Sequence, residues 1–205
     1  TRPRPGHADL PGMLSYDLPE ARPVLERASA RETAARVALG VLAEALLEQV
    51  AGIRLVSHVV SVGAEHATAS LVPTPRDEAA LCEASMRTLD PEDNARFEAA
   101  VDAAKHAGDT IGGVVEVIAY DVPVGLGTHV TARERLDARL AAALMSIQSV
   151  KGVEIGDGFA QAALLGSAAH DEIVRGEDGH LTRASNHAGG IEGGTSNGAP
   201  IVTRA

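Results

Sequence analysis

Helical segments alternate with β-branched runs along this chain, and that alternation limits the fold more than any other feature of the sequence. Residues Ser29–Glu32 have the S-x-x-E form of a capping box, so we expect Ser29 to cap a helix that ends near Gly52. The apolar face of this predicted helix consists of Ala34, Val37, Ala38, Val41, Ala45 and Leu46. The next segment, 53–62, is rich in β-branched residues and is followed by Gly63, which predicts a strand.

The same alternation continues in the second half of the chain. The Asp90–Pro91 pair predicts the start of a helix that runs to about His106, and residues 113–122 form a second β-rich run. A second capping-box pattern at Thr131–Glu134 predicts a helix that runs to about Ser149. We further expect a short strand at 153–155, a short helix at 159–165, a glycine-rich loop region from 166 and a strand that opens at 201–202, whereas 64–86 is ambiguous. No linker or repeat divides the chain, so the sequence predicts one α/β (α+β) domain.

Composition and charge exclude several classes of protein. A hydrophobic content of 45% argues against disorder, and 18 Lys plus Arg against 28 Asp plus Glu give a net charge of −10. Such an acidic balance opposes nucleic-acid binding by counterion release. No apolar run approaches the ~20 residues of a membrane-spanning helix, and the single cysteine, Cys82, fits a reducing compartment. We therefore expect a cytoplasmic protein with no nucleic-acid partner and no membrane partner.

Both ends of the sequence look like internal segments of a longer chain. The chain starts at Thr1 in a basic, proline-rich stretch, and its last residues look like the opening of a strand. A terminus inside an apolar strand leaves backbone groups unpaired, which costs free energy. We expect the middle of a longer protein; the alternative is a natural end followed by disorder.

Two segments near the start carry candidate chemistry. The run Arg4–Asp9 contains His7, a histidine that can hold or release a proton, next to an aspartate. It also contains Arg4, which can bind a carboxylate or phosphate. The alternative is a solvated loop histidine. In the run Glu26–Thr33, two arginines and a serine precede a long helix, whose start favours anions. The alternative here is an ordinary capped helix with its arginines in salt bridges.

The third candidate is the glycine-rich stretch Gly189–Gly198, whose successive amides can fold over a phosphate or a ring. It contains a G-x-S-x-G match at Ser196, but a hydrolase elbow needs a strand before the serine and a helix after it, and neither is expected here. The histidines are scattered without metal-ligand spacing, so no metal is predicted.

Taken together, these segments resemble the chorismate synthase family, in the family's order and over nearly the whole chain. The segments that carry the resemblance are Arg4–Asp9, Glu26–Thr33, Gly108–Glu116, Val122–Gly127, Met145–Gly156, Gly158–Phe159, Gly166–Ser167, His170–Glu172 and Asn186–Gly198. The resemblance implies an α/β sandwich and a lyase of the shikimate pathway to aromatic amino acids. Such an enzyme removes phosphate and a ring hydrogen from enolpyruvylshikimate phosphate in an anti-1,4 elimination that gives chorismate. It also implies a requirement for reduced FMN, a homotetramer and, in some members, NADPH as the flavin reductant.

The resemblance also assigns roles to individual residues. His7 matches the catalytic histidine near the flavin, and the substrate contacts correspond to Arg4, Ala30 and Arg31. The flavin contacts correspond to Arg27, Ala28, Ser29, Gln148, Ser149 and Gly194. We expect the start of the helix after Ser29 and the turn around Gly194 to close on one flavin, with His7 at its edge.

The chain also departs from the family pattern. Ser15 and Asp17 stand where a lysine and a glycine are usual. The family's N-terminal segment, with a second catalytic histidine, and its C-terminal segment, with a flavin-binding lysine-proline motif, have no counterpart in residues 1–205. We therefore expect the central part of a single chorismate synthase domain that is inactive alone. The alternative is a non-catalytic fragment that binds an anion or flavin or that only oligomerises.

Overall fold

Helices and strands alternate in the computed structural model, which describes residues 2–68, 71–177 and 179–205. The α-helices are α1 (Asp9–Ser15), α2 (Arg22–Arg27), α3 (Arg31–Ala51), α4 (Glu78–Glu83), α5 (Pro91–His106), α6 (Leu136–Met145) and α7 (Gly166–Ala169). The strands are β1 (Arg54–Val62), β2 (Glu65–His66), β3 (Gly113–Tyr120), β4 (Glu154–Ile155), β5 (Ile173–Arg175), β6 (Leu181–Arg183), β7 (Ile191–Glu192), β8 (Thr195–Ser196) and β9 (Ile201–Arg204). Short 3₁₀ helices cover Pro75–Asp77, Ala132–Glu134 and Gly158–Ala163.

Five strands form the central antiparallel sheet in the order β2-β1-β3-β9-β4. The long pair β1 and β3 runs in register from Arg54 opposite Tyr120 to Val62 opposite Gly113, with one irregularity between Val59 and Ser61. The last strand of the chain lies inside the sheet, because β9 pairs with both β3 and β4. The expected strands and the α/β class are confirmed.

The two faces of the sheet bury different apolar side chains. One apolar cluster contains Ile53, Val122, Ile191 and Ile201, and Leu136 and Leu140 of α6 pack against it. Val56 and Ile118, which are paired across β1 and β3, are buried on the opposite face because side chains alternate along a strand. On that face the hydroxyl of Tyr120 donates a hydrogen bond to the carbonyl of Pro73 at 2.7 Å.

Helix α3 ends as predicted but is not covered. Gly52 adopts a left-handed conformation with φ 70° at the C-cap, which confirms the predicted end. No residue of α3 is buried, and Val37, Val41 and Leu46 are each 61% exposed. Leu39 and Leu42 are exposed as well, so apolar side chains lie all round this helix. Apolar side chains exposed on all sides of a helix favour contact with a further surface.

The predicted capping box at Ser29 is wrong. Helix α3 begins at Arg31, and its N-cap residue, Ala30, has no side-chain cap. The Ser29 hydroxyl accepts a hydrogen bond from the backbone N–H of Arg31 at 3.2 Å instead. Glu32 lies too close to the helix start to close the box, and its carboxylate binds Gln148.

The predicted N-cap at Asp90 is confirmed, because its carboxylate accepts the backbone N–H of Glu92 at 2.8 Å. The second capping box is wrong: Thr131–Glu134 leads into a 3₁₀ turn, and α6 begins only at Leu136, after the extended residue Arg135. This helix also ends at Met145, before the predicted end at Ser149.

The region after 166 is not only loop. It contains the short hairpins β5–β6 and β7–β8 and the single-turn helix α7. These strands have two or three residues each, which is too short for a recognisable alternation in the sequence.

Candidate functional site

The loop that carries His7 is organised by one buried carboxylate. Asp9 lies in the first turn of α1 and is 1% exposed. Its Oδ2 accepts hydrogen bonds from the backbone N–H of Arg4 at 3.1 Å and from Arg4 Nε at 2.9 Å. His7 Nδ1 lies against Asp9 Oδ1, and Arg4 Nη2 lies 3.1 Å from His7 Nε2. The hydrogen bond from Arg4 holds the pKa of Asp9 at about 2, well below its usual value.

The connection after α1 contains the two departures from the family pattern. Asp17 adopts φ 49°, which is in the left-handed region that glycine occupies without strain. The backbone geometry therefore suits glycine, which is usual at this position in the family that the sequence resembles. Ser15, the last residue of α1, adds no charge where a lysine is usual.

The second candidate segment lies at the start of α3. Arg27 is exposed at the end of α2, and within the described residues no carboxylate pairs with its guanidinium. Arg31 is exposed and binds Glu26 at 3.2 Å, as in the salt-bridge alternative. Both cations stand near the N-terminus of a 21-residue helix, where backbone dipoles favour an anion. Ala28 and Ser29 form the turn between the two helices.

The end of α6 is bound to the start of α3. Gln148 Nε2 donates a hydrogen bond to Glu32 Oε2, and Arg36 donates one to the Ser146 hydroxyl at 2.9 Å. The structure thereby joins two of the segments to which the family resemblance assigns flavin contacts, although 116 residues separate Gln148 from Glu32. Ser149 follows with φ 73°, a strained conformation for serine.

Gln148 and Ser149 also line a cavity of about 740 Å³. Its other walls include the start of β3, the loop that contains Lys151, and Arg204 of β9. Gln148 Oε1 is buried and has no hydrogen-bond partner within residues 2–68, 71–177 and 179–205. A buried amide oxygen without a partner costs free energy, so this oxygen is available to accept a hydrogen bond from a ligand or from water.

Gly194 does not lie with this group. It belongs to the turn between β7 and β8, and its carbonyl accepts the backbone N–H of Leu136 at 2.9 Å. Gly194 therefore packs at the first residue of α6, whereas Gln148 follows the last turn of this 10-residue helix, roughly 15 Å further along. A Cβ at Gly194 would lie 2.6 Å from Arg135 Cγ, and φ is 86°, so packing alone requires glycine here.

Ser196 has a structural role. Its side chain is buried, its hydroxyl donates a hydrogen bond to the carbonyl of Pro123 at 2.6 Å, and it accepts the backbone N–H of Leu126 at 2.8 Å. Both bonds fasten the β7–β8 hairpin to the loop after β3, and the hydroxyl is not presented to a substrate. Among the described residues, no group of three His, Cys, Asp or Glu side chains is arranged to hold a metal ion. In that same part of the chain, no helix has the length and apolar character needed to cross a membrane.

A row of charged side chains that no sequence motif indicated crosses the sheet. His58 of β1, Glu116 of β3, Arg204 of β9 and Glu154 of β4 occupy successive paired positions, and we call them the charged row. Glu116 lies 2.9 Å from His58 Nε2 and accepts a hydrogen bond from Arg204 Nε at 2.7 Å. The available signal was an ionisable residue in the middle of the two valine-rich strands, His58 in β1 and Glu116 in β3. The partners of those residues depend on strand order, which local sequence does not give.

Glu116 is buried in the middle of the charged row. Burial alone would raise its pKa, but the hydrogen bond with His58 and the charge of Arg204 together outweigh burial and hold the pKa below its usual value. The carboxylate is therefore ionised at neutral pH although its side chain is buried.

The fold and the site define an α/β protein with cationic side chains at a helix start and an ordered histidine loop nearby in sequence. The family model for chorismate synthase matches residues 1–205, so the chain belongs to the chorismate synthase family.

Relatives of this chain agree with the family assignment. It is 60% identical to the chorismate synthases of Bifidobacterium animalis subsp. lactis and Acidothermus cellulolyticus, over 207 and 205 residues. Both alignments cover 100% of this chain and 52% of the relative, so the chain spans about half the length of these curated relatives. A solved crystal structure of chorismate synthase matches with a TM-score of 0.89 and 43% identity, over 96% of this chain and 61% of that chain.

Proposed function

We propose that this chain is the central part of a chorismate synthase, a carbon-oxygen lyase. The enzyme converts enolpyruvylshikimate phosphate to chorismate by anti-1,4 elimination of phosphate and a ring hydrogen. The observation that carries the proposal is the hydrogen bond between Gln148 and Glu32, because it brings two flavin-contact segments of the family to one corner. This link is independent of the sequence motifs themselves, since nothing local in either segment requires it.

The residues at this corner fit FMN, which is itself an anion. Arg27 and the N-terminus of α3 supply positive charge for its phosphate, and the unpaired Gln148 Oε1 can accept an N–H. Ala28 and Ser29 form the turn, and Ser149 extends the wall of the cavity. These residues support FMN binding, whereas tight packing already accounts for Gly194. When bound, reduced FMN supplies electron density transiently and helps to take up the proton.

The cations of this chain bind the substrate in the proposed reaction. Arg4 and Arg31 are exposed, and each can form charge-assisted hydrogen bonds with a carboxylate or phosphate. Ala30, at the N-cap of α3, leaves room beside Arg31 because it carries no long side chain. Arg31 must exchange its exposed ion pair with Glu26 for the substrate, which costs little because surface ion pairs are weak. His7 would stabilise the negative charge of the reduced flavin.

The exposed surface of α3 supports the further proposal that residues 1–205 are part of one larger domain. Apolar side chains lie on all sides of this helix, between charged ones, and no residue of the helix is buried, so its apolar surface needs a cover that the described residues do not provide. We therefore propose that residues 1–205, with α3 uncovered, are inactive alone. The same surface favours the second candidate, a non-catalytic fragment that only oligomerises. The homotetramer, NADPH as reductant and a cytoplasmic location remain predictions.

Chorismate formation tests the proposed function. The chain alone, and a chimera that adds the N- and C-terminal segments of the Bifidobacterium relative, are incubated with reduced FMN and enolpyruvylshikimate phosphate. We expect chorismate absorbance to rise only with the chimera. In the chimera, His7→Ala should slow turnover far more than it weakens FMN binding, whereas His106→Ala, at the exposed end of α5, should change neither. A folded chimera that binds FMN without turnover would contradict the proposal.

A further inference from the structure

Two side chains of α3, one turn apart, bind the segment that follows α6. Glu32 lies in the first turn of α3, and its Oε2 accepts a hydrogen bond from Gln148 Nε2. Arg36 donates a hydrogen bond to the Ser146 hydroxyl at 2.9 Å, and this hydroxyl donates in turn to the carbonyl of Ala143 at 2.7 Å. Arg36 also lies 3.8 Å from the Glu32 carboxylate. The segment is therefore held at two points by the same face of α3.

The hydrogen bond to Glu32 determines which way the Gln148 amide faces. A carboxylate has acceptors only, whereas a primary amide has donors on its nitrogen and an acceptor oxygen. Only Nε2 can therefore pair with Glu32, and Oε1 must face another direction. Oε1 has no hydrogen-bond partner within residues 2–68, 71–177 and 179–205, and the Gln148 side chain lines the cavity of about 740 Å³. The unused acceptor therefore belongs to a side chain of the cavity wall.

We propose that Glu32 is the positioning residue of Gln148: it fixes the amide with Nε2 towards α3 and leaves Oε1 for a donor N–H or O–H of the ligand. This inference rests on the proposed function, in which the ligand is FMN. A flavin carries such donors on its ring and on its ribityl chain. Without the Glu32 carboxylate, the amide can turn over and present Nε2 to the ligand, which would bring two donors together.

The charge of Glu32 makes a positioning role distinguishable from an electrostatic one. A carboxylate beside the N-terminus of α3 repels the phosphate of FMN, so by charge alone its removal should tighten FMN binding. Positioning requires the opposite, because the amide loses its fixed orientation. Glu32→Asp keeps the charge but shortens the side chain, whereas Glu32→Gln keeps the length and an acceptor oxygen but loses the charge.

FMN titration of the chimera, followed by flavin fluorescence, separates the two roles. We expect Glu32→Ala and Glu32→Asp each to raise Kd about 3–10-fold, the loss of one hydrogen bond, and Glu32→Gln to raise it by at most about 2-fold. Glu26→Ala is the matched control, because it removes an exposed carboxylate near the same helix start, and it should not raise Kd. Unchanged or tighter binding in Glu32→Ala and Glu32→Asp would overturn the proposal.

A double substitution tests whether Glu32 acts through the amide. In a Gln148→Ala chimera there is no amide to position, so the further change Glu32→Ala should alter Kd by less than about 2-fold. Losses that multiply fully in the double variant would overturn the proposal, because Glu32 would then act on FMN independently of Gln148.

The amide itself reports the contact in the 205-residue chain without FMN. In ¹H–¹⁵N spectra we expect the Nε2 proton of Gln148 that faces Glu32 to exchange slowly with solvent, faster in Glu32→Ala and unchanged in Glu26→Ala. Fast exchange in the unsubstituted chain would overturn the proposal, even if Glu32→Ala does not fold. A folded chimera that binds no FMN would refute the proposed function, whereas slow exchange in the chain would still show the fixed amide.

Discussion

Replacement of Glu116 by glutamine removes the negative charge from the middle of the charged row while it preserves the length of the side chain. Loss of one partner of a buried ion pair costs roughly 3–5 kcal/mol, and one hydrogen bond to a charged group is worth about 1.5–3 kcal/mol. Glutamine keeps one acceptor oxygen, and Arg204 is 31% exposed with Glu154 at 3.9 Å. Both facts place the expected loss below the full value, so Glu116→Gln should lower the free energy of unfolding by about 2–3 kcal/mol at pH 7.

Urea unfolding followed by far-ultraviolet circular dichroism measures this loss, with Glu44→Gln on the exposed α3 as the control that should stay within about 0.5 kcal/mol. The folded-state pKa of Glu116 is depressed, so its contribution is present above the ordinary value of 4.5 and is lost as the pH falls through the lower folded-state value. The difference between the two proteins should therefore shrink steadily below pH 4.5. Equal stability at pH 7, or a difference that persists undiminished in acid, would refute the reasoning.

Three further substitutions test the packing and the loop after β4. Gly156→Ala places a Cβ 2.2 Å from the carbonyl oxygen of His187 at φ 59°, so it should lower the free energy of unfolding in urea by about 2–4 kcal/mol. Gly40→Ala, in open space on α3, should instead stabilise the protein by up to about 1 kcal/mol. Equal effects of the two substitutions would contradict the packing. Phe97→Ala removes a fully buried ring and should lower stability by about 3–5 kcal/mol in the same assay, and a loss below 1 kcal/mol would show that the ring is not in the core. Asp157→Asn should lower the pKa of His187 towards its ordinary value, because the hydrogen bond that His187 Nδ1 donates to the Asp157 carboxylate raises it. An unchanged NMR titration of His187 would disprove the pairing.

Much of the site was predictable as a set of residues but not as an arrangement. The run Arg4–Asp9 is local, and the structure orders it through contacts that span at most five residues. The link between Glu32 and Gln148 spans 116 residues, and no local signal in either segment specifies it. The separation of Gly194 from Gln148 by the length of α6 likewise depends on which end of the helix the β7–β8 turn packs against.

The sequence by itself determined the alternation of helices and strands, the end of α3 at Gly52 and the start of α5 at Asp90. Each of these depends on the backbone preferences and hydrogen bonds of a few neighbouring residues. Only the tertiary structure decided where α3 and α6 begin, since Glu32 binds Gln148 and Leu136 donates to Gly194 instead of completing local caps. The tertiary structure also decided the strand order that brings the residues of the charged row together. Long-range packing can override a local cap because a cap contributes only about 1 kcal/mol, which a few buried contacts exceed.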